Sequence, residues 1–380
     1  MPGRSLVLST LLPVLALWMI GCGGPGAGSA KSSPGGEGGD GKVVNLYIWA
    51  DYLAPDTLAQ FERRTGIKVR VSYFETNETL ESRMLTGHSG FDVVVPTAPF
   101  FQRQIESGAY RPLDKAKLPD LAHLDPAVMS RVAQNDPGNA HGVVYAWGTY
   151  GIGYNTKRIA AALPNAPLDS WALIFDPRFA SKLAGCGINI LDAPAGVVRL
   201  MLKYLGRNPD APSSEDLAQA EAALLKIRPY IRNIDSSQNT EAMANGDICV
   251  ALAYNGDFVQ ARKRAKEANN GVQIDYVIPK EGSLLWFDML AIPRDAPHVA
   301  NALKLIDYLM DPRVIADVSN FTGFANANTA ALPFMDASVA SDTIVYPSPE
   351  QMQRVFVQSQ DPPAQARAIT RLWQRFKTAQ

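Results

Sequence analysis

Three aspartates in this 380-residue chain sit beside large aromatic residues: Asp51 between Trp49 and Tyr52, Asp257 after Tyr254, and Asp288 after Trp286. A carboxylate flanked by rings suits an organic cation, whose body gains from π faces and whose ammonium gains from the negative charge. Asp288 is the most informative of the three. LLWFDMLAIP reads as a strand in which Trp286 and Asp288 share one face and Phe287 takes the other. A carboxylate buried there is costly unless a cation or hydrogen bonds compensate. Each aspartate also has a plainer role open to it. Asp51 suits a turn, Asp257 suits the cap of the helix DFVQARKRAKEANNG, and Asp288 suits an internal ion pair.

The elements that position these residues read as alternating strands and helices. In NLYIWADYLAP, Leu46 and Ile48 alternate with Asn45, Tyr47 and Trp49, and Pro55 opens a helix over 55–65 that buries Leu58 and Phe61 and stops at Gly66. Trp49, Asp51 and Tyr52 therefore lie where strand gives way to helix, the edge at which open α/β sheets bind ligands. IKVRVSYF forms a second strand, Asn77 and Glu78 open a second helix that ends at Gly87, and FDVVV is a strand buried on both faces. Strand, helix, strand, helix, strand implies a doubly wound α/β lobe. Thr97 ends the third strand on the same rim, where its hydroxyl suits either a ligand or the next helix. Gly148, Gly151 and Gly153 in GVVYAWGTYGIGYN mark bends or close approach, as at a crossing between lobes. Their spacing is not that of a phosphate loop, so a nucleotide is not expected. CGINILDAP ends a further strand at Asp192, and DICVALAYNGD ends another at Tyr254, just before Asp257.

Composition removes several classes of function. A net charge of -1 with scattered Lys and Arg gives no footprint for nucleic acid. The four histidines match no metal-ligand spacing, and no cofactor motif is found. No nucleophile elbow or zinc-protease motif is found, so an enzyme is not expected, although carboxylate pairs also serve glycoside hydrolysis. Residues 1–22 read as an export signal, with Arg4, an apolar run and Ile20-Gly21-Cys22, which resembles a bacterial lipobox with Cys22 as the lipidated residue. Residues 23–42 are Gly, Ser and Pro with almost nothing to pack, as in a tether. The folded part is expected outside the cytoplasm, where Cys186 and Cys249 suit a disulfide.

WADYLAPDTLAQFERRTGIKV, GFDVVVPT, GTYGIGYN, YNGDFVQARKRAKEANNGV, IPKEG, WFDMLAIP and FANAN resemble, in order over nearly all of 43–380, the bacterial extracellular solute-binding proteins of polyamine ABC importers, and among these the putrescine-binding type. The resemblance implies a two-lobed α/β fold of the type II periplasmic binding proteins, with a cleft that closes on ligand. The expected lobes are discontinuous, 43–145 with 268–315 and 146–267 with 316–380. It also implies that Trp49, Tyr52, Tyr254 and Trp286 stack on the ligand, that Asp51, Asp257 and Asp288 hold its amines, and that Thr97 is a polar contact. The expected partners are a polyamine and a membrane permease, the chain acting as a monomer; the alternative is a different amine, spermidine or agmatine, or a sensor of amines. This chain departs from the pattern at Ala50, at Tyr254, at Phe324 in place of a Tyr, and at Ala195, Gly196 and Val197, where the family has an amine-binding Glu. Asp192 is the candidate to replace that Glu.

Overall fold

The computed structural model describes residues 41–379, so the expected signal, Cys22 and nearly all of the expected tether lie outside the described residues. The strands are β1 (Val43–Trp49), β2 (Lys68–Phe74), β3 (Val93–Val94), β4 (Gly142–Asn155), β5 (Ile188–Ile190), β6 (Asn233–Ile234), β7 (Val250–Tyr254), β8 (Ile274–Val277), β9 (Ser283–Ala291) and β10 (Val355–Val357). They pair in the order β2-β1-β3-β9-β4-β7-β5-β6, with β10 on β9 and β8 on β4. β2, β1 and β3 are parallel, and so are β7, β5 and β6, as strand–helix–strand repeats require.

Between these groups β4 changes partners. Its first half runs antiparallel to β9, and from Tyr150 onward it pairs with β7 and β8. A Cβ at Gly148 would lie 2.1 Å from Asn255 Oδ1 and 2.6 Å from Trp286 Cζ2, so glycine is what lets the strand pass. Just beyond, Thr149 N donates to Asn255 Oδ1 (3.1 Å) and Ser283 Oγ donates to the Tyr150 carbonyl (2.7 Å). The crossing is therefore pinned from two sides. β8, at 274–277, pairs with the second half of β4, beside the β7 pairing.

The helices follow local signals closely. The helix Thr57–Thr65 buries Phe61 and ends at Gly66 with φ 69°. The helix Asn77–Thr86 is capped by Thr76, whose hydroxyl accepts from Thr79 N, and this leaves the Asn77 side chain free for another use. Cys186 and Cys249 form the expected disulfide across a sequence separation of 63, a closure that stabilises by roughly 4 kcal/mol on the chain-entropy account. In the helix Pro194–Tyr204, Arg199 is 1% exposed and grips Asp361 through two bonds of 2.6 and 3.1 Å. That pair ties the helix to the chain leading into the last helix, Pro363–Thr378.

Candidate functional site

β9 is buried along its whole length, and Asp288 stands in its middle at 3% exposed. Its carboxylate accepts from Thr97 Oγ1 and from Tyr52 Oη, both at 2.7 Å. Thr97 occupies the cap position of the helix Ala98–Glu106, yet its hydroxyl makes no capping bond. The reason is Asn77, which donates to Thr97 Oγ1 and accepts from Thr97 N, each at 3.0 Å, and so turns the hydroxyl proton toward Asp288. Tyr52 is fixed in turn by Tyr145, whose hydroxyl donates to the Tyr52 carbonyl (2.6 Å). Burial pushes the Asp288 carboxyl up to about 6, with the two hydroxyls holding back part of the rise.

The second carboxylate enters from the other group of strands. The helix Asn255–Glu267 begins two residues before Asp257, so Asp257 is its third residue and caps it from there, its carboxylate accepting from the N–H of Tyr254 at the N-cap. Its oxygens accept only long bonds, 3.3 Å from Tyr254 N and 3.4 Å from Thr240 Oγ1. The side chain keeps some surface, but the groups packed round it desolvate it and push its carboxyl up to about 7. Among the described residues no cation contributes to holding either carboxylate.

A continuous row of rings runs past these two groups. Trp49 meets Tyr52 (6.5 Å between centroids), Tyr52 meets Phe324 (5.7 Å), Phe324 meets Trp286 (4.9 Å, perpendicular), Trp286 meets Tyr254 (5.9 Å) and Tyr254 meets Tyr150 (4.9 Å). The expected residues Trp49, Tyr52, Thr97, Tyr254, Asp257, Trp286, Asp288 and Phe324 are thus brought together. Such a surface, apolar faces around two negative ends, is chemically matched to a flexible chain with ammonium termini.

Two expected residues stand apart. Asp51 is exposed in the turn after β1, with φ 58°, and takes no part in the hydrogen bonds or ring contacts of the cluster. Asp192 is also exposed, and its carboxylate is taken up by Trp373 Nε1 (2.6 Å) and Lys377 Nζ on the last helix. It therefore anchors that helix and takes no part in the hydrogen bonds of the cluster around Asp288. Three positioning residues went unread: Asn77, Tyr145 and Tyr150. Only Tyr150 gave a signal, as an aromatic among the glycines of GTYGIGYN.

Residues 56–347 match the bacterial extracellular solute-binding protein family. The chain is 44% identical over 343 residues, 90% of this chain and 94% of the relative, to the putrescine-binding periplasmic protein SpuD of Pseudomonas aeruginosa. It is 44% identical over 339 residues, 89% of this chain and 92% of the relative, to the putrescine-binding periplasmic protein PotF of Escherichia coli. Among solved structures, a spermidine/putrescine ABC transporter protein of Listeria monocytogenes matches with a TM-score of 0.79 at 28% identity, covering 90% of this chain and 100% of that one. The architecture is accordingly the two-lobed α/β fold expected from the sequence. Among the described residues no helix is long and apolar enough to cross a membrane, and no group of three or more His, Cys, Asp or Glu is placed to hold a metal ion.

Proposed function

The chain belongs to the bacterial extracellular solute-binding protein family, and from that premise we propose that it captures putrescine or a related polyamine in the ring-lined cleft and delivers it to the permease of an ABC importer. The observation that carries the proposal is the pair Asp257 and Asp288, two desolvated carboxylates with no cation among the described residues to hold them ionised. Ionising such a group is costly unless a cation or hydrogen bonds compensate, and a bound ammonium supplies that compensation. The rings between the carboxylates fit the methylene chain of a diamine, and the relatives named above bind putrescine. The activity is binding and release, with no bond made or broken.

The mechanism follows from where the residues come from. Tyr52 and Thr97 lie on the β1–β3 side and Tyr254 and Asp257 on the β7 side, with β4 crossing between. A dication that reaches both carboxylates favours the closed arrangement, and its loss leaves two like charges that oppose it. Each charge-assisted bond contributes about 1.5–3 kcal/mol net and each ring contact about 0.5–2 kcal/mol, enough for a Kd on the order of 1 μM after association costs. Delivery then places the folded part outside the cytoplasm as a monomer, held near its permease by the lipid on Cys22 that the sequence of 1–22 supports.

Calorimetry of the exported chain with putrescine, spermidine, agmatine and a neutral sugar tests this. One amine should bind at micromolar strength or better, and near pH 7 the reaction should release protons, because a cation lowers carboxyl groups that stand at about 7 and about 6. Heat with the sugar alone, or with no amine, would overturn the proposal.

A further inference from the structure

The end of the ring row farthest from Trp49 is Tyr150, on the segment of β4 just past the crossing. Its carbonyl accepts from Ser283 Oγ at 2.7 Å, its ring stands edge-on to Tyr254 at 4.9 Å, and its hydroxyl lies 3.4 Å from that of Tyr254. It lines a small cavity of about 30 Å³ with Thr97 and Trp286, the first a partner of Asp288 and the second a member of the ring row, and the Asp288 charge acts on its hydroxyl. Behind the ring is the helix Pro194–Tyr204. A Cβ built on Gly196 would lie 2.9 Å from both Tyr150 Cε1 and Tyr150 Oη. The phenol therefore occupies the space that any side chain at 196 would need.

The charge at this end points the same way. The first turn of Pro194–Tyr204 carries no acidic residue, so the positive pole of the helix stands uncompensated behind two neutral hydroxyls. An ammonium group gains a carboxylate at Asp288 or Asp257, whereas the Tyr150 hydroxyl has, among the described residues, only the hydroxyl of Tyr254 as its hydrogen-bond partner.

We propose that Tyr150 is a specificity-determining residue: seated against Gly196, it closes the cleft beneath the helix Pro194–Tyr204 and restricts the site to short α,ω-diamines, against longer triamines of the spermidine type. This rests on the polyamine reading above. A diamine spans the two carboxylates and ends there. A triamine has to carry a further propyl-ammonium arm into the volume of the phenol ring and toward the positive helix pole. Both the steric and the electrostatic consequence fall on the longer ligand alone, and the ring cannot retreat because Gly196 is already in contact.

Calorimetric affinities for putrescine and spermidine, measured on the wild-type chain and on Tyr150→Ala and Gly196→Ala, decide the matter. The wild type should prefer putrescine, and Tyr150→Ala should shift the putrescine-to-spermidine ratio toward spermidine by about tenfold or more, the size of discrimination that one or two methylenes carry in a pocket. Uniform weakening of both ligands in that variant would assign Tyr150 a purely structural role and overturn the inference. Gly196→Ala is the independent arm, since alanine suits a helix while its methyl presses the ring into the cleft. It should weaken spermidine more than putrescine, and an equal effect on both would count against the inference even where Tyr150→Ala fails to fold. Wild-type protein that binds both amines equally well removes this inference alone, whereas wild-type protein that binds neither removes the polyamine reading with it.

Discussion

Asp361 and Asp288 are both almost fully buried, at 8% and 3% exposed, but their surroundings differ in kind. Asp361 faces the guanidinium of Arg199, itself 1% exposed, at 2.6 and 3.1 Å, and accepts from Gln365 Nε2 as well. Asp288 faces two neutral hydroxyls, those of Tyr52 and Thr97. The first carboxylate is complete within the chain: a planar cation matches both its oxygens, and the pair joins two distant segments. The second is oriented but not neutralised. Burial alone does not distinguish the two; on the reading proposed above, the carboxylate oriented only by neutral hydroxyls is the one that a ligand's cation completes.

The largest expected effect attacks the complete pair. Arg199→Met leaves Asp361 buried with no cation and should lower stability by about 3–5 kcal/mol, read as a shift in the urea midpoint with the slope unchanged. Asp288→Asn is the contrasting variant, because it removes a charge that nothing neutralises. The ligand-free protein should then be as stable as wild type or more so, and a loss of stability comparable with that of Arg199→Met would erase the distinction between the two carboxylates.

The same contrast has a signature in pH. The carboxyls of Asp257 and Asp288 stand at about 7 and about 6 in the folded, ligand-free protein, above the ordinary value of 3.8. The folded state thus keeps protons that the unfolded chain has released. Their contribution to stability is complete below pH 4 and is lost as pH rises through about 6 and about 7, by an amount on the order of 3 kcal/mol for each group. Melting curves without ligand should therefore rise as pH falls from 8 to 5, and saturating putrescine should flatten that slope, since the cation restores the ionised state. Asp288→Asn should flatten the lower part of it and also weaken putrescine binding by at least about tenfold, the size of one charge-assisted bond. Unchanged affinity in this variant would remove Asp288 from the site.

What was legible in the sequence was what local patterning controls. The rim position of Trp49 and Tyr52 followed from a strand turning into a helix, and Asp288 announced itself by breaking an apolar strand. Gly66 ended its helix as a left-handed cap should. The disulfide was legible because two lone cysteines of an exported chain had few other roles. The missed features all depend on partners far away in the chain. Asp192 looked available because nothing near it in sequence is basic, yet Trp373 and Lys377, 181 and 185 residues on, fill both its oxygens. Thr97 had two roles open, and Asn77, 20 residues earlier, turns its hydroxyl away from the helix and onto Asp288. The pairing of β8 with β4 was not legible, because alternation says that a segment is a strand and nothing about which edge it joins. Tyr150 was hidden because its importance lies in the side chain that position 196 lacks.

Asn77 supplies the smallest and most discriminating test of the comparison. The Arg199–Asp361 pair is two planar charged groups that fit each other, with the Ala195 and Ser359 carbonyls and Gln365 completing their hydrogen bonds. Asp288 depends on a hydroxyl that rotates freely unless something stops it, and Asn77 stops it by donating to Thr97 Oγ1 and accepting from Thr97 N. In Asn77→Ala the Thr97 hydroxyl regains the option of capping the helix Ala98–Glu106, as residues at that position ordinarily do. Asp288 then loses one of its two orienting donors for part of the time. Putrescine affinity should fall by a few fold, about the 1 kcal/mol of a neutral hydrogen bond, while the urea midpoint moves little because the helix recovers a cap. A combined Asn77→Ala, Thr97→Val variant should bind little more weakly than Thr97→Val alone, since Asn77 reaches Asp288 only by way of Thr97, whose N–H it also accepts. Additive losses would instead place Asn77 in direct contact with the ligand and make the site on this side larger than the two hydroxyls and one carboxylate that define it here.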